Sequence, residues 1–251
     1  MSIKVCVAVL TIVLGSPVFA QSSLGIAGMS LDLGSTEDEA GEWRGAFASS
    51  VDVRITGVHG LQGDLAFSET AGGTIGSLGA HVYMAPRPGQ KYGLFFNLSD
   101  VDGRSMAWAS AGAEGMFRIA EGTIVEGRIG LGAADGNSLD YIFGGASLVH
   151  ALSPAVEIEA AFDIADFDEA AFRATSLESS LTARYSPEGA PWGLYASLIH
   201  SDLTGRDGAR GATRIGLGVT YRLGTSGGVD TDTRPFRAAD PVAPLVRRGL
   251  W

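Results

Sequence analysis

Residues 214–223 alternate at every second position between large apolar side chains and polar or small ones. One set is Ile215, Leu217, Val219, Tyr221 and Leu223, and the other is Arg214, Gly216, Gly218, Thr220 and Arg222. Because successive side chains of a β-strand point to opposite faces, this pattern predicts a strand with one apolar and one charged face. A charge facing lipid at the membrane midplane costs about 2–4 kcal/mol, so such a strand crosses a membrane only with its charges turned into a closed barrel.

The same period of two recurs along most of the chain, and it is bounded by turn-forming residues. Each stretch is long enough for a tilted transmembrane strand, which needs about 9–11 residues. The sequence therefore predicts an all-β fold, a single antiparallel transmembrane β-barrel of about 12 strands within residues 21–223. The predicted strands are 22–33, 43–56, 60–69, 74–86, 90–100, 104–118, 122–134, 138–150, 154–165, 171–186, 191–202 and 210–223.

Two of these segments have an alternative interpretation. The alternation in 22–33 is poor, so this segment is either the first strand or a leader before the barrel. Segment 154–165 alternates well, but some of its apolar residues also fit one face of a helix. A strand is favoured there because Pro154 and the turn-like residues 166–169 bound a segment of strand length.

The connectors between the predicted strands are of two kinds, which largely alternate along the chain. Some contain proline, as at Pro88 and Pro154, and others contain an acidic residue before glycine, as at 102–103 and 207–208. Alternating connectors are typical of hairpins that turn first on one side of a membrane and then on the other. With the N-terminus in the periplasm, the acidic connectors face the outside of the cell.

The two ends of the chain lack the barrel pattern. Residues 1–20 combine Lys4, an apolar run and a small-residue cleavage site, which predicts a secretory signal peptide. The single cysteine, Cys6, lies within it, so we expect neither a disulfide nor a thiolate metal site in the remaining chain. Residues 224–251 are rich in Gly, Thr, Asp, Pro and Arg, and their composition predicts a flexible C-terminal periplasmic tail. Alternatively, its end at 247–251 docks on a partner or plugs the pore.

Composition argues against several classes of function. The formal net charge is −10, which disfavours nucleic acid as a partner. A soluble β-sandwich would carry more lysine, whereas Lys91 is the only lysine after residue 20. His200 and Ser201 are adjacent and would face opposite sides of a strand, so they cannot form a catalytic pair. We therefore predict no catalytic group, no metal site and no cofactor.

Charged residues on the predicted inner face form two groups. The basic group comes from the second and last strands and the acidic group from the eighth to tenth. Opposed walls of this kind would create a transverse field that orients polar solutes in a pore. Alternatively, the same residues form ion-paired networks that stabilise a closed barrel. The predicted pore-lining residues are basic Arg44, Arg54, Arg214 and Arg222 and acidic Asp140, Glu157, Glu159, Asp163 and Glu178.

The predicted signal peptide, the alternating segments and the closing strand 214–223 resemble the small, porin-like outer-membrane β-barrel proteins of Gram-negative bacteria. The resemblance implies a narrow channel in the cell outer membrane for passive diffusion of small polar solutes or ions. It also implies contact with outer-membrane lipids and lipopolysaccharide, assembly by the barrel assembly machinery, and a possible homo-oligomer. The alternatives are a closed structural barrel or an adhesion scaffold and, with less support, a lipid-modifying enzyme. In this family the last strand usually ends the chain, whereas a tail follows here.

Overall fold

A computed structural model describes residues 25–38, 40–135, 139–169, 172–224 and 227–250. The predicted signal peptide at 1–20 lies outside these residues. The described part contains twelve strands and one short helix. The strands are β1 (Ile26–Glu37), β2 (Trp43–Arg54), β3 (His59–Thr70), β4 (Gly73–Arg87), β5 (Gln90–Val101), β6 (Ala107–Ala120), β7 (Thr123–Ala134), β8 (Leu139–Ser153), β9 (Val156–Asp168), β10 (Arg173–Tyr185), β11 (Trp192–Thr204) and β12 (Ala209–Gly224), and the helix is α1 (Ala243–Arg247).

Each strand pairs antiparallel with its neighbours in sequence, and the first strand pairs with the last to close a twelve-stranded barrel. The closing register runs from Gly28 opposite Gly224 to Thr36 opposite Gly216. This confirms the predicted all-β, antiparallel barrel fold, and β9 is a strand rather than a helix. Residues 22–24 of the predicted first strand lie outside the described residues, and β1 ends at Glu37, four residues beyond the predicted end, because Thr36 still pairs with both β12 and β2.

The outer surface of the barrel is apolar around its whole circumference. Because the sheet is closed, the backbone N–H and C=O groups of every strand find hydrogen-bond partners on neighbouring strands, which a lipid environment requires. Among the described residues, no helix is long and apolar enough to cross a membrane. The most exposed apolar side chains on the outer face include Leu78, Val82, Leu94, Ile129, Leu131, Ile142, Leu181, Leu198 and Leu217.

Residues 227–250, here called the luminal segment, lie inside the barrel. For these residues this corrects the prediction of a flexible periplasmic tail at 224–251. The alternative that the end at 247–251 plugs the pore is closer to the structure, although the segment inside the barrel is much longer than that end. The composition is polar, as disordered segments are, but the barrel wall supplies partners for its charged and its apolar side chains. Val242, Leu245 and Val246 are all 0% exposed.

The luminal segment runs along the barrel from one end to the other. It begins at the end where β1 starts and β12 finishes, here called the terminal end. Helix α1 lies at the opposite, far end, where it packs with Trp108, Leu139 and Phe167 beside the far-end connectors. A Cβ at Gly72, in the connector between β3 and β4, would lie only 2.3 Å from the Val246 carbonyl oxygen. The segment therefore reaches the connectors of the far end.

Candidate functional site

The middle of the lumen holds Phe236 in a slot formed by His81, Tyr83 and Lys91, here called the aromatic slot. Phe236 is 3% exposed. Its ring stacks on His81 with centroids 5.8 Å apart and meets Tyr83 edge-on at 6.1 Å. The Lys91 ammonium lies 4.6 Å from the Phe236 centroid and 4.1 Å from that of Tyr83. The slot therefore combines apolar packing with a cation–π contact.

The slot side chains are held in place by carboxylates on neighbouring strands. His81 lies between Asp64 and Glu114, with its Nε2 2.7 Å from an Asp64 oxygen and its Nδ1 2.6 Å from a Glu114 oxygen. The Tyr83 hydroxyl donates a hydrogen bond of 2.5 Å to Asp52. These residues come from β2, β3, β4 and β6, and their contacts do not involve the luminal segment. The wall therefore fixes His81 and Tyr83 of the slot by itself.

Wall side chains also bind the backbone of the luminal segment. The Gln62 amide both accepts from the Phe236 N–H, at 2.8 Å, and donates to the Phe236 carbonyl, at 2.9 Å. Lys91 donates to the Arg234 carbonyl at 3.1 Å, and Asn97 donates to the Ala239 carbonyl at 3.1 Å. These contacts satisfy backbone groups that burial in the lumen would otherwise leave without partners.

Arg237 is bound through its backbone in the same way. Its N–H donates to Glu126 at 3.1 Å, and its carbonyl accepts from Arg128 at 2.9 Å. Both wall residues lie on β7 and point inward because they occupy alternate positions. The segment is thus held on both sides of Phe236.

Two arginines of the luminal segment pair with carboxylates of β9. Arg234 contacts Glu157 at 3.3 Å and Glu159 at 2.8 Å. Arg237 contacts Asp163 at 2.6 Å and Glu159 at 3.4 Å. Three of the predicted acidic residues therefore meet in one network, and two of their positive partners, Arg234 and Arg237, come from the segment that was predicted to lie outside the barrel.

A second network lies nearer the far end, around Glu178. Its carboxylate pairs with Arg247 of helix α1, with Arg214 at 3.0 Å, and accepts a hydrogen bond from Ser201. This network fastens the helix to β10, β11 and β12.

The structure therefore does not keep the predicted basic and acidic walls apart. Arg214 pairs with Glu178, and Arg222 lies 3.9 Å from Glu157. β12 is only two strands from β10 and three from β9, so these side chains meet across the lumen wall. The arrangement corresponds to the ion-paired alternative rather than to a transverse field.

The remaining predicted residues lie away from the networks. Arg44 points inward at the far end and pairs with Asp38 at 2.8 Å. Arg54 is exposed at the terminal end, where it donates to the backbone of Asp232 at 3.0 Å. Asp140 is exposed on the outside of the barrel, and its prediction as a lumen residue is wrong.

The error at Asp140 has a clear cause. Near the far end of β8 the inward side chains are Leu139, Tyr141 and Phe143, all buried. The rule that apolar side chains face lipid and charged ones face the lumen reverses there. The lumen is apolar at this level because it packs against Val242 and Leu245 of the luminal segment.

Several functional residues were not among the predicted ones, although their signals are present in the sequence. Glu126, Arg128 and Arg184 occupy inward positions of the same alternation that identified Glu157. Lys91 is the single lysine of the chain after residue 20. The side chains of Gln62, Asn97 and Trp108 that bind the luminal segment gave no comparable signal. Trp108 donates through its ring N–H to Asp240 at 3.2 Å.

Cavities remain beside the luminal segment, and two of those formed by described residues lie along β12, β1 and β2. One of about 310 Å³ is lined by Asp32, Thr220 and Arg234, among others, and one of about 170 Å³ at the far end is lined by Arg44 and Arg247. The Tyr195 ring lies between their levels, against the backbone of β12. A Cβ at Gly218 would lie 2.4 Å from its hydroxyl oxygen, so glycine leaves room for the ring.

Far-end connectors are fixed by acidic side chains. The backbone N–H of Glu42 and the Arg44 guanidinium hold the pKa of Asp38 below its ordinary value. The backbone N–H of Arg173 and the Arg206 side chain likewise lower the pKa of Asp207. Asp207 thereby joins the connector between β11 and β12 to the start of β10.

The structure gives no support to a His–Ser pair. His200 faces outward and shares a hydrogen bond with Thr213 at 2.9 Å, whereas Ser201 is buried on the lumen side beside Glu178. The two therefore lie on opposite faces, as the alternation predicts. Within the described ranges, no group of three or more His, Cys, Asp and Glu side chains has an arrangement that could hold a metal ion.

Comparison with known proteins gives structural but no sequence matches. No protein-family model and no curated protein matches the sequence. The fold is similar to the NanC porin, with a TM-score of 0.61, 6% identity and coverage of 78% of this chain and 100% of that one. It is similar to the COG4313 outer membrane channel from Pseudomonas putida F1, with a TM-score of 0.54, 11% identity and coverage of 80% and 97%.

A third similar structure is the KdgM porin, with a TM-score of 0.53, 12% identity and coverage of 76% of this chain and 98% of that one. This chain covers nearly the whole length of these three structures, but identities this low show the fold alone. The closed sheet, its apolar outer face and the similarity to these three structures all point to the same kind of protein. The chain is a small outer-membrane β-barrel that resembles porin-like channels, and no subfamily is identified.

Proposed function

We propose that this barrel is an outer-membrane channel for small polar solutes whose resting state is closed by its own luminal segment. The observation that carries the proposal is the occupant of the lumen. A polar, charged wall suited to solutes binds residues 232–240 through hydrogen bonds and ion pairs, and Val242, Leu245 and Val246 pack in an apolar cluster at the far end. The similarity in fold to porins and to an outer-membrane channel supports the same conclusion.

The closed state has an apolar seal at the far end. Val242, Leu245 and Val246 pack with Trp108 and Phe167 into one buried cluster. Such a cluster excludes water, and a hydrophobic constriction blocks ions because they cannot shed their hydration. On the other side of the segment, the Tyr195 ring lies against the wall between the levels of the two cavities.

The luminal segment is also built to be removable. On its N-terminal side it is joined covalently to the barrel through Gly224 and residues 225–226. When the segment moves out of the lumen, the wall carboxylates that paired with its arginines keep partners on the wall. Glu159 still contacts Arg184 at 2.5 Å, and Glu178 still contacts Arg214. Releasing the segment therefore does not leave those buried carboxylates unpaired, which would be strongly destabilising.

A permanently closed structural barrel is the second candidate. The same apolar seal and the density of ion pairs around Glu159 favour it, because together they hold the lumen filled. The two candidates differ in what remains when the segment is absent: an open water-filled path in the first, and an unstable barrel in the second.

The test is conductance in planar bilayers of the full chain and of a chain that ends at Gly224, each first shown to fold by heat-modifiable migration on a gel. The full chain is expected to be closed for most of the time. The shortened chain is expected to give steady conductance steps. If the shortened chain folds but stays silent, the channel proposal is wrong, and if it no longer folds, the structural candidate is favoured.

A further inference from the structure

We propose that the lumen wall is a binding site for extended cationic peptides with the pattern arginine, any residue, aromatic, arginine, and that the luminal segment occupies this site as a tethered ligand. In the segment the pattern is Arg234-Pro235-Phe236-Arg237. The inference rests on the proposed function in one respect: it names the class of solute that such a channel would admit.

The first argument is that the wall recognises peptide backbone. Backbone groups of Arg234, Phe236, Arg237 and Ala239 are bound by side chains from the strands. Gln62 is a matched donor and acceptor for a single residue, since its amide pairs with both the N–H and the carbonyl of Phe236. These groups are common to every peptide, and an extended chain presents them at the same spacing whatever its sequence.

The second argument is the set of side-chain subsites. The first arginine lies between Glu157 and Glu159, and the last lies between Glu159 and Asp163. Between them the aromatic slot takes the ring of Phe236. The wall carboxylates select positively charged guanidinium groups on the peptide, and the aromatic slot selects a flat ring between them.

The third argument is that the wall is organised before the peptide arrives. His81 is fixed by Asp64 and Glu114, and Glu159 is fixed by Arg184, through contacts among wall residues alone. A site that is already ordered loses little conformational entropy on binding, so it retains affinity for a ligand that is not tethered.

The arrangement fits a peptide better than a small cation or a neutral sugar. A small cation would use the carboxylates but leave the Gln62 amide and Asn97 without their backbone partners. A neutral sugar would place no charge at the positions beside Glu157 and Asp163 that the guanidinium groups of Arg234 and Arg237 occupy here. Only a cationic chain with regularly spaced amides meets both kinds of wall group.

The test uses the folded chain that ends at Gly224, in detergent, and a fluorescently labelled synthetic peptide with the sequence of residues 229–241. Fluorescence anisotropy is expected to show saturable binding. The peptide with Phe236→Ala and the peptide with Arg234→Glu and Arg237→Glu are each expected to bind at least about tenfold more weakly, since anchor residues dominate such interfaces. The full chain is expected to bind the peptide more weakly than the shortened one, because its own segment occupies the site.

Two barrel variants show where the peptide binds. Gln62→Ala removes the backbone clamp and is expected to weaken binding, whereas Asp140→Asn, on the outer face, is expected to leave it unchanged. Equal binding of all three peptides, or none, would overturn the peptide site.

Anisotropy does not depend on conductance, so the two proposals can fail separately. A shortened chain that conducts but binds no peptide overturns the peptide site and leaves the channel proposal intact. A shortened chain that binds the peptide with the expected specificity but never conducts supports the site and contradicts the channel.

Discussion

Phe236→Ala is expected to release the luminal segment from the middle of the lumen. Emptying the aromatic slot removes a fully packed ring, and truncating a buried phenylalanine costs about 3–5 kcal/mol. The stack on His81 and the cation–π contact with Lys91 are lost together. We expect faster trypsin cleavage within residues 227–250 and a large rise in the open fraction in planar bilayers.

Phe96→Ala is the matched control for this variant. Phe96 lies on the outer face of β5 and is 47% exposed, so its loss is expected to leave both the cleavage rate and the open fraction unchanged. If Phe236→Ala behaves like Phe96→Ala while the barrel stays folded, the slot does not hold the segment.

Glu159→Gln is expected to weaken the retention of the luminal segment by a similar amount, because it removes the negative charge that its arginines contact. Glu159 contacts Arg184, Arg234 and Arg237, and removing one partner of a buried ion pair costs about 3–5 kcal/mol because the others remain charged. We expect the segment to detach at lower urea concentration, measured as the urea dependence of trypsin cleavage at a fixed pH and salt concentration.

Asp140→Asn removes the same charge from the outside of the barrel and serves as the control. No change in segment detachment is expected for it. Equal urea dependence for Glu159→Gln and the unmodified chain would show that the β9 carboxylates do not retain the segment.

The sequence was sufficient to predict the barrel because alternation is a local signal. The sequence of each strand shows which of its residues point inward and which point outward. Closure follows because the backbone N–H and C=O groups of an open edge strand would lack hydrogen-bond partners in lipid. The bounds of β1 were less certain, because its last third, at 34–37, contains Gly, Ser and Thr and little alternation. Residues 34–37 belong to the strand because they pair with β12 and β2, and the sequence of β1 alone does not show this pairing.

The luminal segment could not be predicted in the same way. Read alone, residues 227–250 have the composition of a disordered tail. Their structure depends on partners far away in sequence, such as Gln62 for Phe236 and Glu157 for Arg234. The complementarity becomes apparent only when the inward positions of several strands are brought together around one axis.

The same dependence explains which candidate site residues were correct. Glu157, Glu159 and Asp163 lie in the lumen because β9 follows the simple rule of charge inward. Asp140 does not, because β8 turns Tyr141 inward to pack against the residues that seal the lumen. The charge rule holds only where the lumen is polar, and the apolar far end is a consequence of the segment that fills it.

The most direct test of a closed, self-occupied lumen is a thiol crosslink between wall and segment. Asn97→Cys and Ala239→Cys are combined in the full chain, where the Asn97 amide contacts the Ala239 carbonyl at 3.1 Å. A short bifunctional thiol reagent is expected to join the two in the folded protein, so that trypsin no longer separates the segment from the barrel. The pair Phe96→Cys and Ala239→Cys is expected to give no such product, because Phe96 faces lipid. Independent labelling of both thiols without a crosslink, in protein shown to be folded, would contradict the placement of residues 227–250 inside the barrel.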